Sequence, residues 1–240
     1  MSNRVLILPA LVACAVTAAV AAPARASAGS STPTKIETVF PAAGSLLVHS
    51  VGVRMTPNPH AKVIKVMHDF RSDFRPQVMF AVGEQTGTDG KPWYHISIPM
   101  RPNGTYGWVP AALVSLSPTK GRIVVSLGAR TIDLYWGARH VWHAKVAIGA
   151  PGRETPTGSY FVAARFVPYH DPFLGVFAVE TSAYSKLTEW PGGGVVGIHG
   201  TSLPQLLGQA VSHGCVRVAN VTAEKLKRYA PLGTPILIKN

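Results

Sequence analysis

The chain has 240 residues, enough for one large domain or two small ones. It contains 20 Pro and 23 Gly but only 14% charged residues, a balance that favours β-rich structure with many turns over a helix bundle. The formal net charge is +12. No nucleic-acid motif or basic amphipathic helix accompanies this charge, so we expect a polyanionic extracellular neighbour and no nucleic-acid partner.

The N-terminal segment predicts export. A short positive stretch ending at Arg4 precedes the uncharged apolar run Val5–Ala22, and Ala26-Ser-Ala28 fits a cleavage site. Residues 1–28 are therefore interpreted as a signal peptide. Two alternatives stay open, a retained anchor and lipidation at Cys14, and only these would bring the protein to the membrane. In every case we expect a secreted, periplasmic or cell-wall-associated protein.

Residues 29–45 are predicted to form a linker, which begins with a polar stretch, and residues 46–117 a small β domain. Turn-forming Pro, Asn, Asp and Gly separate short runs rich in branched and aromatic residues. The predicted strands are Leu46–Val53, Val63–Met67, Val78–Val82, Trp93–Ile98 and Gly107–Val109. About five such strands predict a small barrel.

This region resembles a bacterial SH3-like domain through the stretches VRMTPNP, DGKPWYHI and GWVP. The resemblance implies either a module that binds wall polymers or a spacer that positions a catalytic domain. Three aromatic side chains could either stack on sugars or belong to the core of this domain: Trp93, Tyr94 and Trp108.

Residues 118–240 are predicted to form a second β-rich domain. Glycines near 128 and 137 indicate turns of a three-stranded meander. The predicted strands are Arg122–Leu127, Thr131–Trp136, His140–Ile148, Thr157–Ala164, Val176–Glu180, Val195–His199 and Pro235–Ile238. A short helix is predicted over Ala223–Tyr229, started by Asn220 or Thr222. The fold class is mainly β, a small barrel followed by a β-sandwich with one short helix.

The densest chemical cluster is Val211-Ser-His-Gly-Cys-Val-Arg217. Once residues 1–28 are removed, Cys215 is the single cysteine, and an unpaired thiol in an oxidising compartment suggests reactivity. A thiol becomes a strong nucleophile only as thiolate, which a nearby imidazole or cation favours. His213 and Arg217 share a face with Cys215 in extended backbone, and Gly214 allows a turn that aims amide groups at one point.

A second histidine ends an apolar strand in Gly197-Ile-His-Gly200. A loop could bring His199 to the sulfur at modest entropic cost. The residue chemistry alone leaves both His199 and His213 open as the base.

Residues 120–239 resemble the L,D-transpeptidase catalytic domain, the YkuD-like family. The resemblance rests on TPTGSYF at 155–161, GIHG at 197–200, SHGCVR at 212–217 and PLGTPILI at 231–238. It implies that Cys215 is the nucleophile and His199 the general base, oriented by the Gly200 carbonyl. It further implies an oxyanion hole made by the amides of His213, Gly214 and Cys215, and site positions at Ser212 and Arg217. In the poorly matching stretch 165–195, where the family carries a mobile lid, Tyr169, Tyr184 and Trp190 are candidates.

The activity implied by the resemblance is acyl transfer from peptidoglycan tetrapeptide stems through a Cys215 thioester, which gives 3→3 cross-links and contributes to cell-wall biogenesis and cell shape. Carbapenems are implied to acylate the same cysteine. L,D-carboxypeptidase activity, ligation of stems to protein and an inactive wall-binding domain remain alternatives.

No cofactor and no metal are predicted. His140-x-x-His143 matches a zinc-like spacing, but residues i and i+3 of a regular strand point to opposite faces.

Overall fold

The computed structural model describes residues 38–189 and 191–240. The predicted signal peptide and the first part of the predicted linker lie outside this range. Within it, no helix is both long enough and apolar enough to cross a bilayer. The mainly β class predicted from the sequence is confirmed, because strands dominate both parts of the chain and the described residues contain one α-helix.

The first part of the chain forms a seven-stranded sheet in the order β3-β2-β6-β5-β4-β1-β7. Its buried side includes Val53, Met79 and Ile96, each fully or almost fully shielded from solvent. Trp93 is buried and donates its indole N–H to Asp89 at 3.0 Å, so it belongs to the interior. The strands are β1 Ala42–Leu46, β2 Ser50–Arg54, β3 Val63–His68, β4 Met79–Thr86, β5 Pro92–Ser97, β6 Tyr106–Pro110 and β7 Val114–Pro118.

The second part forms a nine-stranded mixed sheet in the order β14-β10-β15-β13-β12-β11-β16-β8-β9. An additional pairing of β9 with β10 closes the sheet on itself, so this part is barrel-like as well as sandwich-like. The strands are β8 Gly121–Ser126, β9 Thr131–Trp136, β10 Arg139–Gly149, β11 Gly158–Phe166, β12 Ala178–Tyr184, β13 Val195–His199, β14 Ala210–Ser212, β15 Val216–Val218 and β16 Pro235–Lys239.

Helix α1, Asn220–Tyr229, packs Ala223 and Leu226 into the core of the second sheet. Its N-cap is Ala219, without a side-chain cap, so the predicted capping by Asn220 or Thr222 is wrong. Both side chains have other partners: Asn220 Oδ1 accepts from the Val176 N–H at 3.3 Å, and Thr222 Oγ1 accepts from the Trp142 indole at 3.1 Å. Four 3-10 turns complete the elements: Ala111–Leu113, Pro172–Leu174, Pro191–Gly194 and Pro204–Leu206.

The two sheets share a small apolar cluster. Phe80 on β4 stacks on Phe161 on β11 with ring centroids 4.8 Å apart, and Val78 and Ala163 complete the contact. Residues 37–240 accordingly group as one compact unit. The division at residue 118 and the SH3-like nature of residues 46–117 stay predictions.

Several strand predictions need correction. The run Leu46–Val53 is interrupted by a bend at residues 47–49, which separates β1 from β2. Strand β7, Val114–Pro118, was not predicted; it contains Ser117 and pairs along the whole of β1. The three-residue strands β14 and β15 were not predicted, because a run this short has no measurable periodicity.

Candidate active site

Cys215 and His199 are brought together by two parallel neighbouring strands. In the β13–β15 pairing, His199 lies opposite Arg217. Cys215 directly precedes β15 and lies two residues before Arg217, so continued alternation of the side chains directs both toward the face of His199. The Gly197 N–H donates to the Cys215 sulfur at 3.3 Å, and a methyl group placed on Gly197 would lie 3.7 Å from His199 Cδ2 and 3.8 Å from Cys215 Sγ. The thiol and the imidazole therefore border the same small space above Gly197.

The imidazole of His199 is held by the carbonyl of the next residue. His199 is 3% exposed, and its Nδ1 lies 2.6 Å from the Gly200 oxygen. Because a carbonyl only accepts, Nδ1 carries the proton, and Nε2 is left as the acceptor that a general base needs. Burial lowers the pKa of His199 to about 4, although the Gly200 carbonyl acts in the opposite direction. The ring is therefore neutral at physiological pH.

The thiol of Cys215 is partly exposed at the wall of a cavity. Burial raises its pKa above the ordinary value, and the Gly197 N–H and the charge of Arg217 only partly offset this effect. Both partners are therefore neutral in the resting protein. The arrangement suits proton transfer from sulfur to imidazole during attack, in place of a stored thiolate–imidazolium pair.

The turn before Cys215 is closed by Ser212. The buried Ser212 hydroxyl donates to the Cys215 carbonyl at 2.5 Å and accepts from the Gly214 N–H at 3.1 Å. Gly214 has a φ of +117°, which a residue with a side chain rarely adopts. In this conformation the Gly214 amide is engaged by Ser212, so its predicted place in an oxyanion hole requires that hydrogen bond to open.

Arg217 contributes a buried cation beside the sulfur. Its side chain is almost inaccessible, its Nε has no hydrogen-bond partner, and its guanidinium lies 4.4 Å above the Phe173 ring. Among the described residues, the ion pairs within 4 Å do not include Arg217. A buried charge without a carboxylate partner is costly, and an anionic ligand in the cavity would relieve this cost.

A cavity of about 580 Å³ connects these groups to solvent. Its walls include His199, Cys215 and Arg217 from the second sheet, and Phe173 from the segment before β12. Residues 71–73, which precede β4 of the first sheet, also line the cavity. A volume of this size accommodates a peptide branch.

Sequence comparison identifies the family of this domain. Residues 120–238 match the family model of the L,D-transpeptidase catalytic domain, YkuD. The chain belongs to the YkuD family of L,D-transpeptidases. Two relatives carry the name L,D-transpeptidase YkuD: the Bacillus subtilis protein is 33% identical over 116 residues, and the Bacillus licheniformis protein 34% over 117. These matches cover 48% and 49% of this chain and 64% of each relative, so the chain spans less than two thirds of their length.

Among solved structures, an L,D-transpeptidase from Mycobacterium tuberculosis is similar to this chain with 17% identity and a TM-score of 0.46. The match covers 82% of this chain and 98% of that one.

One residue that holds the L,D-transpeptidase site was missed by sequence reasoning. Thr155 is 3% exposed, and its hydroxyl donates to the Gly214 carbonyl at 2.8 Å and accepts from the Gly149 N–H at 2.9 Å. It thereby links the turn before Cys215 to the end of β10. The TPTG stretch was recognised as part of the family pattern, but nothing local in the sequence shows that its first threonine reaches Gly214.

His213 lines the same cavity as Cys215 and His199, but its ring contacts Arg153. Its Nε2 contacts the Arg153 guanidinium, and burial, followed by the charges of Arg153 and Arg217, lowers its pKa. A neutral ring beside Arg153 agrees with a part in shaping the loop.

Of the candidates from the stretch 165–195, the two that the structure describes, Tyr169 and Tyr184, do not line the cavity. Tyr169 is 84% exposed. Tyr184 faces the first sheet, where its hydroxyl donates to the Pro99 carbonyl at 3.3 Å and Arg101 lies 4.7 Å from its ring. Trp190 lies outside the described residues. The cavity is instead lined by Asp171, Phe173 and Leu174, at the start of this stretch and near His199.

Proposed function

We propose that the protein is an exported L,D-transpeptidase that forms 3→3 peptidoglycan cross-links through a Cys215 thioester made from tetrapeptide stems. The observation that carries the proposal is the meeting of the Cys215 sulfur and the His199 ring above Gly197, at the wall of an open cavity. The membership of residues 120–238 in the L,D-transpeptidase family supports the reaction class.

The first step forms the acyl-enzyme. The sulfur attacks the carbonyl carbon of the L-configured centre of the third-position diamino acid, while His199 Nε2 takes the thiol proton. The bond to the terminal D-Ala nitrogen then breaks, His199 returns the proton to that nitrogen, and D-Ala leaves. Because both groups start neutral, neither Cys215 nor His199 carries a buried charge before the substrate arrives.

The second step releases the product. The side-chain amine of another stem attacks the thioester carbon, His199 removes a proton from this amine, and the C–S bond breaks as the sulfur regains a proton. The amide formed in this way is the 3→3 cross-link. Water in place of the amine gives carboxypeptidase activity, and an amine on a protein gives a stem-to-protein ligase.

Arg217 is proposed to hold an anionic group of the stem. Peptidoglycan stems carry free carboxylates, and a guanidinium at the cavity wall without a carboxylate partner among the described residues offers a charge-assisted hydrogen bond. Removal of the predicted signal peptide, which contains two Arg and no acidic residue, lowers the formal net charge from +12 to +10. This charge supports attraction to the anionic wall polymers, to which the predicted SH3-like region would add contacts.

Mass spectrometry tests the proposal directly. Incubation with defined tetrapeptide stems is expected to add the stem mass minus D-Ala to the chain, and incubation with a carbapenem to add the drug mass. Cys215→Ala is expected to abolish both adducts, and His199→Ala to reduce both rates by about 100-fold or more. Adducts of equal yield on the Cys215→Ala variant would refute the cysteine mechanism.

Analysis of the products distinguishes the acceptors. Cross-linked dimers support the transpeptidase, whereas trimmed tripeptide stems alone support the carboxypeptidase. Stem attached to an added protein acceptor supports the ligase.

A further inference from the structure

Three metal-ligating side chains converge on the outer surface of the β9–β10 hairpin. His140 Nε2 lies 2.7 Å and His143 Nδ1 2.8 Å from the same oxygen, Asp133 Oδ1. The three ligand atoms lie within 4.8 Å of one another. None of these residues lines the catalytic cavity.

A β-bulge produces this convergence. The register runs from His140 opposite Tyr135 to Trp142 opposite Leu134, and then to His143 opposite Asp133. Val141 is therefore an extra residue on β10, which shifts the alternation by one position. Asp133 and Tyr135 share a face of β9, so their partners His143 and His140 share a face of β10. In a regular strand His140 and His143 would point to opposite faces, which is why no metal was predicted. The bulge places both side chains on the same face instead.

We propose that Asp133, His140 and His143 form a binding site for a divalent transition-metal ion of the zinc class. Two imidazoles and one carboxylate are a ligand set that Zn²⁺ binds, with bonds of about 2.0–2.2 Å, and remaining positions are filled by water. The Asp133 carboxylate oxygen and the two imidazole nitrogens already lie close together. Small movements of the three side chains would therefore be enough to admit an ion between these atoms.

The surroundings allow entry of an ion from solvent. The side chains of His140 and His143 are 47% and 56% exposed, whereas Asp133 is 20% exposed and anchored on β9. The Tyr135 ring lies 5.0 Å from that of His140 and limits its rotation. Arg122 lies 3.9 Å above Tyr135, and its positive charge weakens cation binding, so we expect micromolar affinity.

The matched control is another exposed histidine–aspartate pair. His49 Nδ1 lies 3.0 Å from Asp69 Oδ1, and the His68 ring is 5.6 Å from that of His49. This pair lies on the first sheet and does not form a three-ligand group by the same distance criterion. It offers a histidine–aspartate contact on an exposed surface without the convergence of a second histidine on the same oxygen.

Calorimetric titration with ZnCl₂ tests the proposal in the untagged full chain, with Cys14 and Cys215 replaced by serine so that no thiol competes. We expect one Zn²⁺ per chain. His140→Gln and His143→Gln should each weaken binding by about tenfold or more, and His49→Gln should leave it unchanged. Circular dichroism of the metal-free variants verifies that each one is folded.

Thermal unfolding provides a second readout. Zn²⁺ should raise the melting temperature of the parent chain and of His49→Gln, but not that of the His140→Gln/His143→Gln double variant. Binding weaker than about 1 mM, or binding that survives in the folded double variant, would overturn the site and identify the three side chains as a hydrogen-bonded cluster only. The background lacks Cys215, so the result is independent of the proposed catalysis.

Discussion

At the scale of single residues, the site depends on two groups whose charges are suppressed by burial. The pKa of His199 lies at about 4, and that of Cys215 lies above its ordinary value. Cys215 is therefore a thiol and His199 a free base across the physiological range. This state favours acyl transfer by concerted proton removal and protects the thiol from indiscriminate reaction.

The pH dependence of two reactions should reveal this state. Alkylation of Cys215 by iodoacetamide requires thiolate, so its rate should be low at pH 7 and continue to rise above pH 9. Acylation by a carbapenem requires neutral His199, so it should be lost as the pH falls through about 4. Quenching the iodoacetamide reaction at successive times, followed by mass spectrometry, measures the alkylation rate.

In denaturant the alkylation profile should move to lower pH, because burial is the main cause of the raised pKa. A plateau of alkylation between pH 5 and pH 8 would instead indicate a thiolate–imidazolium pair and contradict the neutral resting state.

The hydroxyl of Thr155 should contribute both to the stability of the fold and to the reactivity of Cys215. Thr155→Val leaves the Gly149 N–H and the Gly214 carbonyl without their side-chain partner in a buried place, at a cost of about 1–3 kcal/mol in the free energy of unfolding. The turn before Cys215 should also shift and slow acylation. Thr155→Ser keeps the hydroxyl and should restore both properties. Urea unfolding and carbapenem acylation rates measure them, and a Val variant unchanged in both would exclude this role.

At the scale of elements, the connection between β3 and β4 reaches the cavity that contains Cys215. Arg71 and Arg75, between β3 and β4, each donate to a different carboxylate oxygen of Glu180 on β12 at 2.8 Å. Arg71 also lines the cavity that contains Cys215, whereas Arg75 does not. The first sheet therefore contributes to the wall along which a substrate would lie.

The two arginines form a matched pair for mutagenesis. Arg71→Ala should lower kcat/KM for stem-peptide acylation by about tenfold, chiefly through KM, because a charged group that can face the anionic stem is lost. Arg75→Ala removes the same kind of ion pair outside the cavity and should have a smaller effect. Iodoacetamide alkylation of Cys215 should be unchanged in both variants. Equal losses of kcat/KM in the two variants would indicate that the effect comes from the broken ion pairs with Glu180 and not from contact with the substrate.

At the scale of the whole molecule, the two sheets are joined by an apolar contact as well as by these ion pairs. Phe161 is fully buried and Phe80 is 5% exposed, and their rings stack at 12°. Arg101 adds hydrogen bonds from the first sheet to the carbonyls of Ser185 and Gly193. Cooperative unfolding of residues 38–240 follows from such a shared cluster.

Calorimetry should therefore detect one transition for this part of the chain. Phe80→Ala should destabilise it by about 3–5 kcal/mol, because the change leaves a cavity between the sheets. Phe74→Ala is the control: Phe74 is 88% exposed, so its removal should change stability by less than about 0.5 kcal/mol. Two separate transitions, with only one shifted by Phe80→Ala, would show that the sheets unfold independently.

Local pattern was sufficient for much of the fold. The bounds of β9 and β13 were predicted to the residue, because Ile132 and Leu134 alternate with polar neighbours and an apolar run ends at His199. Local pattern failed where tertiary contacts decide. Asn220 was interpreted as a helix cap, but its side chain binds the backbone of Val176, and the bulge at Val141 has no signature in the sequence.

The sequence by itself determined the mainly β class and the family, because these depend on periodicity and on motifs of residues close together in the chain. Only the tertiary structure brought Arg71 to the catalytic cavity, Thr155 to the Gly214 carbonyl and His140 beside His143 at Asp133. Burial in the folded chain also lowers the pKa of His199 and raises that of Cys215. The physical reason is that burial and long-range register depend on which strands become neighbours, and no local stretch of sequence contains that information.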